Sequence, residues 1–318
     1  FFPFLSFFLS SLYSFIIQVA LGRRGTWAAA TSYWQPRDGL GYEKLQVLRL
    51  EPTVASEPVA AAHVPSRSTC LRIVEPYVLM GLRSDVVSVY ELPPQSSELQ
   101  VRWELGGHHA AVLAVDAVPQ PGGLLVASGS RDGMIRLHYC ATDSGQTVGL
   151  QVMHAPGAVQ QLSLISSTVL GLRLLACASG SDTLAQWDVA TGLELPAHTV
   201  HVDGDATNAG DALALVPVSA SSSAALGDAV LLAYAGAVLR HDLQFGAASC
   251  LFDGRLEHNV SALQWLPDHG SALRLASGSS ILDASGSAVR LWSTHAPTPE
   301  HVLEFPEPCV AVSRRRRR

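Results

Sequence analysis

Apolar residues in this chain come in short runs that alternate or fill both faces, and the same order of signals returns about every fifty residues. Leu124 to Ala127 leads through Ser128-Gly129-Ser130 and the turn Arg131-Asp132-Gly133 into Met134-Ile135-Arg136-Leu137-His138. Leu174 to Ala178 leads through Ser179-Gly180-Ser181-Asp182 into Leu184-Ala185-Gln186-Trp187-Asp188. Leu273 to Ala276 leads through Ser277-Gly278-Ser279 and an insertion into Ala288-Val289-Arg290-Leu291-Trp292. A looser copy runs from Tyr77 through Arg83-Ser84-Asp85 to Leu92, and a degenerate one from Ala229 to Asp242. The closing aromatic or imidazole residues, Tyr90, His138, Trp187, His241 and Trp292, are separated by 48, 49, 54 and 51 positions. Histidines precede the copies at a matching offset: His63, His109, His154, His201 and His258.

The period within each copy is that of strands. Ala111 to Val118 is apolar on both faces, as in a strand held between two neighbouring sheets, and Pro119 to Gly123 is turn chemistry. Each copy reads as four strands. Such a sheet cannot bury both faces alone, so the copies must stack on one another.

These residues resemble the WD40-repeat family. Gly107-His108-His109 matches the Gly-His pair before the first strand, and Trp187-Asp188 is the one intact Trp-Asp. The resemblance implies an all-β, WD40-type β-propeller with five recognisable blades and a partial closing blade. It also implies hydrogen-bonded blade-locking sets, drawn from His109, Ser128 and Asp132; from His154, Ser179, Asp182, Trp187 and Asp188; and from His258 and Trp292. Tyr90-Glu91, His138-Tyr139, His241-Asp242 and Trp292-Ser293 depart from the pattern. In this family the turns between second and third strands share a rim with the loops between blades. The implied partner-binding residues on that rim are Arg83, Ser84, His108, Arg131 and Asp283.

The propeller is expected over residues 63–312, after a lead-in at 26–62 with one closing strand, read at Leu45 to Leu50. Cys309 to Val312 reads as a first strand after the fifth blade. Residues 1–25 form an apolar segment, charge-free from Phe1 to Ala20, that suits a signal, an anchor or a fragment artefact. Residues 313–318 are an Arg-rich tail.

Composition removes several functions. The chain has 318 residues, 15% of them charged, and Lys44 is its one lysine. Without Arg314 to Arg318 the balance is 16 basic against 27 acidic residues, an acidic body with no footprint for nucleic acid. Lys44 lies in no Gly-rich loop, which excludes a P-loop, and no G-x-S-x-G elbow is present. The five cysteines form no C-x-x-C pair and read as buried, reduced thiols. Asp203-Gly204-Asp205 near His198 and His201 lacks a full calcium-loop pattern and reads as a solvated insertion. No cofactor, metal or catalytic residue is expected.

The expected function is therefore a non-catalytic protein–protein interaction scaffold with a peptide partner on its rim, inside the cytoplasm or nucleus. The run from Ser261 to Trp292 also looks like the later repeats of F-box/WD-repeat substrate receptors of ubiquitin ligases. That likeness implies a degron-binding role and a Skp1-type adaptor, should an F-box lie upstream. The alternatives are a membrane-anchored or secreted propeller, if Phe1 to Ala20 is a genuine leader, and a propeller enzyme.

Overall fold

The computed structural model describes residues 14–21, 27–34, 42–49, 58–92, 98–167, 170–181, 183–199, 214–218, 229–234, 237–244, 248–252, 260–266, 274–279, 287–293 and 301–305. Among them are twenty-four strands in six antiparallel sheets, each made of four consecutive strands. Sheet one holds β1 (Ser14–Leu21), β2 (Trp27–Trp34), β3 (Tyr42–Arg49) and β4 (Pro58–Val64). Sheet two holds β5 (Ser68–Val74), β6 (Tyr77–Leu82), β7 (Val87–Glu91) and β8 (Gln100–Leu105). Sheet three holds β9 (Val112–Gln120), β10 (Gly123–Ser130), β11 (Met134–Ala141) and β12 (Thr147–His154). Sheet four holds β13 (Val159–Ser167), β14 (Gly171–Ala178), β15 (Thr183–Asp188) and β16 (Glu194–Thr199). Sheet five holds β17 (Ala214–Val218), β18 (Ala229–Tyr234), β19 (Ala237–Asp242) and β20 (Ala248–Phe252). Sheet six holds β21 (Val260–Leu266), β22 (Arg274–Ser279), β23 (Ser287–Ser293) and β24 (His301–Phe305).

The chain forms two compact units, Phe1–His154 with sheets one to three and Ala155–Arg318 with sheets four to six. Within the first, β5 packs against β1 and β9; within the second, β17 packs against β13 and β21. Like strands of successive sheets thus meet face to face. Successive side chains of a strand point to opposite faces, and β6 shows the result. Tyr77 and Leu79 join Val89, Trp103, Val115 and Leu124 in the core between sheets two and three. Val78, Met80 and Leu82 join Ala29, Leu45 and Val47 between sheets one and two. A strand walled on both sides needs no polar face, which is why YVLMGL is buried throughout. In the second unit, Leu175 and Cys177 meet Val230, Leu232 and Leu239 in the core between sheets four and five.

Two buried polar ties join sheets of the first unit. The Arg72 guanidinium on β5 reaches the buried Asp116 carboxylate on β9 at 3.1 Å. At the start of β5, Ser68 donates its N–H to Glu43 of β3 at 3.1 Å and its hydroxyl to the same carboxylate. Thr31 of β2 lies 2.9 Å from that hydroxyl. Burying a carboxylate is tolerable when its lone pairs are taken up in this way.

Two sequence expectations change. Residues 26–62 contain three strands of sheet one, β2, β3 and most of β4, where one closing strand was expected. The first sheet is therefore complete in four strands from the N-terminal stretch, and His63 belongs to its last strand. Residues 1–13 and the strand expected at Cys309 to Val312 lie outside the described residues, while Ser14–Leu21 is strand β1. No helix among the described residues is long and apolar enough to cross a membrane.

Candidate functional site: a rim of turns and loops

The turn from β10 to β11 is built by Ser130, Arg131, Asp132 and Gly133. Gly133 takes φ 80°, which glycine adopts without a Cβ clash. Asp132 accepts the N–H of Met134 at 2.8 Å through Oδ1, closing the turn on itself. Its other oxygen accepts the N–H of His109 at 2.8 Å, across in the loop joining sheets two and three. The Ser130 hydroxyl donates to the Ala110 carbonyl at 2.9 Å, and the Arg131 N–H donates to the Ala111 carbonyl at 2.9 Å. Turn and loop are thereby stitched into one ledge.

Under that ledge sits His108. Gly107 takes φ 106° and turns the chain so that the His108 ring is buried, with Nε2 2.8 Å from the Ser128 hydroxyl oxygen. Its Nδ1 lies 3.7 Å from Asp132 Oδ2. A carboxylate only accepts, so the tautomer with its proton on Nδ1 suits this arrangement, and Nε2 then accepts from Ser128. Burial lowers the His108 pKa, with Asp132 pulling the other way, so the ring is neutral at pH 7. For Asp132, partial burial raises the pKa, but the His109 and Met134 N–H groups and the Ser130 hydroxyl outweigh it, and the carboxyl rests below its usual range.

The two imidazoles take the opposite places from those expected from the sequence. His108, expected on the rim, is the buried one, and His109, expected to lock the blade, has an exposed side chain and contributes its backbone N–H. The reason is the left-handed Gly107, which aims the next residue inward. Ser128 and Asp132 are both in the buried set. Of the set expected from His154, Ser179, Asp182 and Trp187, Asp182 lies outside the described residues. His154 is exposed at the end of β12, opposite Met134, because the chain continues as Ala155-Pro156-Gly157 in place of a Gly-His turn. Trp187 is buried on β15 opposite Leu174. Asp188 caps the next turn, accepting the Thr191 N–H at 3.0 Å, and its pKa is lowered, first by that bond. Ser179 is half-buried and donates its N–H to Ala158. Trp292 lies on β23, in register with Leu275. Asp182, His258 and Asp283 lie outside the described residues.

One backbone bond recurs in both units. The first residue beyond the second strand donates to the loop between sheets: Arg83 to Arg67 at 2.8 Å, Arg131 to Ala111 at 2.9 Å, Ser179 to Ala158 at 2.8 Å. In the first unit Arg83, Ser84 and Arg131 are exposed. Arg67, which the sequence reading did not single out, is exposed beside Arg83. Its signal was its place directly before β5, at the offset of the loop between repeats.

Residues 99–138, from just before β8 through β9 and β10 to His138 within β11, match the WD40 family profile, WD domain, G-beta repeat. The matched segment contains the whole ledge and the His108–Ser128–Asp132 set. With the all-β succession of four-stranded sheets, it fits a WD40 propeller. No curated protein matches the chain. Among the described residues no group of three His, Cys, Asp or Glu side chains is placed to hold a metal ion.

Proposed function

We propose that the protein is a non-catalytic interaction scaffold that holds a peptide partner on the rim formed by Arg67, Arg83, Ser84 and Arg131. The observation that carries this reading is the WD40 match on the segment that builds the ledge. WD40 domains generally bind protein partners and are generally non-catalytic. The rim arginines are exposed at the ends of turns whose backbones are fixed by hydrogen bonds. Arginine suits such a place because its planar fork makes several contacts with little further ordering. The reading is tested by proximity labelling in cells with the wild type and an Arg83→Glu/Arg131→Glu variant. A set of neighbours present with the wild type and absent with a folded variant supports it; identical sets sink it.

A second, finer reading is a substrate receptor of a ubiquitin ligase, supported by the likeness of Ser261 to Trp292 to the later repeats of F-box/WD-repeat receptors. Co-purification of a Skp1-type adaptor with the full-length gene product tests it, and absence of the adaptor counts against it. We propose an intracellular location for either role. The thiols of Cys70, Cys140 and Cys177 are unpaired, as suits a reducing compartment.

A further inference from the structure

Sheet three has a lateral face that the rim reading does not use. β12 is its outer strand, and among the described residues only β11 pairs with it, leaving its other edge unpaired among them. From Thr147 to His154 the strand carries no Asp, Glu, Lys or Arg. Val148, Leu150 and Val152 are each about half exposed, at 53%, 51% and 47%. An open, apolar edge without a charge or proline is unusual, because such edges invite pairing with another chain.

Beside this strand lies a recess of about 270 Å³, lined by Arg136, His138, Gly149, Leu150, Gln151 and Val152. The register shift between Leu137 and His138 makes Leu150 the extra residue of a bulge, and Gly149 stands opposite His138 without a side chain. The Arg136 Nε is buried and has no hydrogen-bond acceptor, and the His138 Nδ1 is buried without a partner. Among the described residues no carboxylate forms an ion pair with Arg136; the Asp132 oxygens are taken by the N–H groups of His109 and Met134. A partly buried guanidinium without an anion is costly. Charge complementarity therefore calls for a carboxylate, and the neighbouring apolar strand calls for aliphatic side chains around it.

We propose that this face binds an extended segment of a partner protein carrying one Asp or Glu flanked by aliphatic residues. The segment adds to the open edge of β12 through main-chain hydrogen bonds. Its aliphatic side chains lie on Leu150 and Val152, which line the recess, and its carboxylate enters over Gly149 to accept from Arg136. Neither Arg83 nor Arg131 lines this recess, so rim binding and edge binding are tested by different variants.

The test is selection of randomised eight-residue peptides displayed on phage against the full chain, followed by fluorescence anisotropy of the enriched peptides. The expected consensus has one acidic residue between aliphatics. Replacing that acid by its amide, or Arg136 by Gln, weakens binding about 10-fold or more, because a charge-assisted hydrogen bond is lost. Gly149→Val serves where Arg136→Gln folds poorly. A Cβ at Gly149 meets nothing closer than 4.0 Å, so the variant keeps the fold while narrowing the entrance, and it weakens binding likewise. Arg83→Glu/Arg131→Glu leaves this binding unchanged. The proposal is overturned if no peptide is enriched, if the enriched peptides share no acid, or if Gly149→Val binds as well as the wild type.

Discussion

His198 and His241 meet ring to ring, with Nδ1 of the first 2.6 Å from Nε2 of the second, and so join β16 of sheet four to β19 of sheet five. One nitrogen must donate and the other accept, which requires at least one ring to be neutral at its contacting atom. His241 is fully buried. Burial, reinforced by His198 and opposed by Asp242, pushes its pKa from 6.5 down to about 4.

The pH dependence follows from that depression. Above pH 6.5 the ring is neutral in both folded and unfolded chains, and the contact contributes fully. Between pH 6.5 and about 4 the unfolded chain takes up the proton and the folded one does not, so stability falls as the pH drops. The loss contributed by His241 is on the order of 3 kcal/mol. Urea denaturation at pH 7.5 and pH 4.5 should show a smaller difference in a His241→Gln variant than in the wild type; an equal difference would remove His241 as the cause.

Asp132 fixes a turn and the loop beside it with one carboxylate. Asp132→Ala releases the N–H groups of His109 and Met134 and withdraws the acceptor facing His108, so stability should fall by about 1–3 kcal/mol. Asp132→Asn keeps an acceptor and should recover part of it. Chemical denaturation of the three proteins checks the order, and an alanine variant as stable as the asparagine variant would contradict it.

Gly123 begins β10 where a Cβ would stand 2.4 Å from the Cys140 carbonyl oxygen. That neighbour is backbone and cannot swing away. Gly123→Ala should therefore cost about 1–3 kcal/mol through overpacking. Gly106, with nothing within 4 Å of its Cβ position, supplies the control, and Gly106→Ala should stay within about 0.5 kcal/mol of the wild type. Thermal melts that fail to separate the two variants would refute the account.

Glu43 accepts twice from Ser68 in the buried tie between sheets one and two. Glu43→Ala leaves the Ser68 N–H and hydroxyl short of an acceptor and should cost about 2–3 kcal/mol. Amide exchange at Ser68 reports the change directly; unchanged protection there would show that the tie carries no weight.

Much of the fold was legible because β6, β10 and β14 each precede an acidic or polar turn with residues apolar on both faces. Sheet one was not, and its residues show why. Ala28, Ala29 and Ala30 of β2 are fully buried, yet alanine carries little strand preference, and no Ser-Gly-Ser turn follows Trp34. The exposure of Arg83 and Arg131 was legible from turn position alone. Which of two adjacent histidines turns inward was not, because that depends on the backbone angle of Gly107, which spacing does not record. The open edge of β12 was equally hidden: VGLQV reads like any other strand until its neighbours are known.

Each ladder joins strands that follow one another in sequence, with none exchanged between sheets among the described residues. Pairings this local need only short loops to close. During synthesis, a sheet can be finished soon after its fourth strand leaves the ribosome, and it then offers a template wall for the next. The strand edges of newly made chain are thus unpaired for the length of one sheet at a time, while the outer apolar face of each finished sheet waits for the next to cover it.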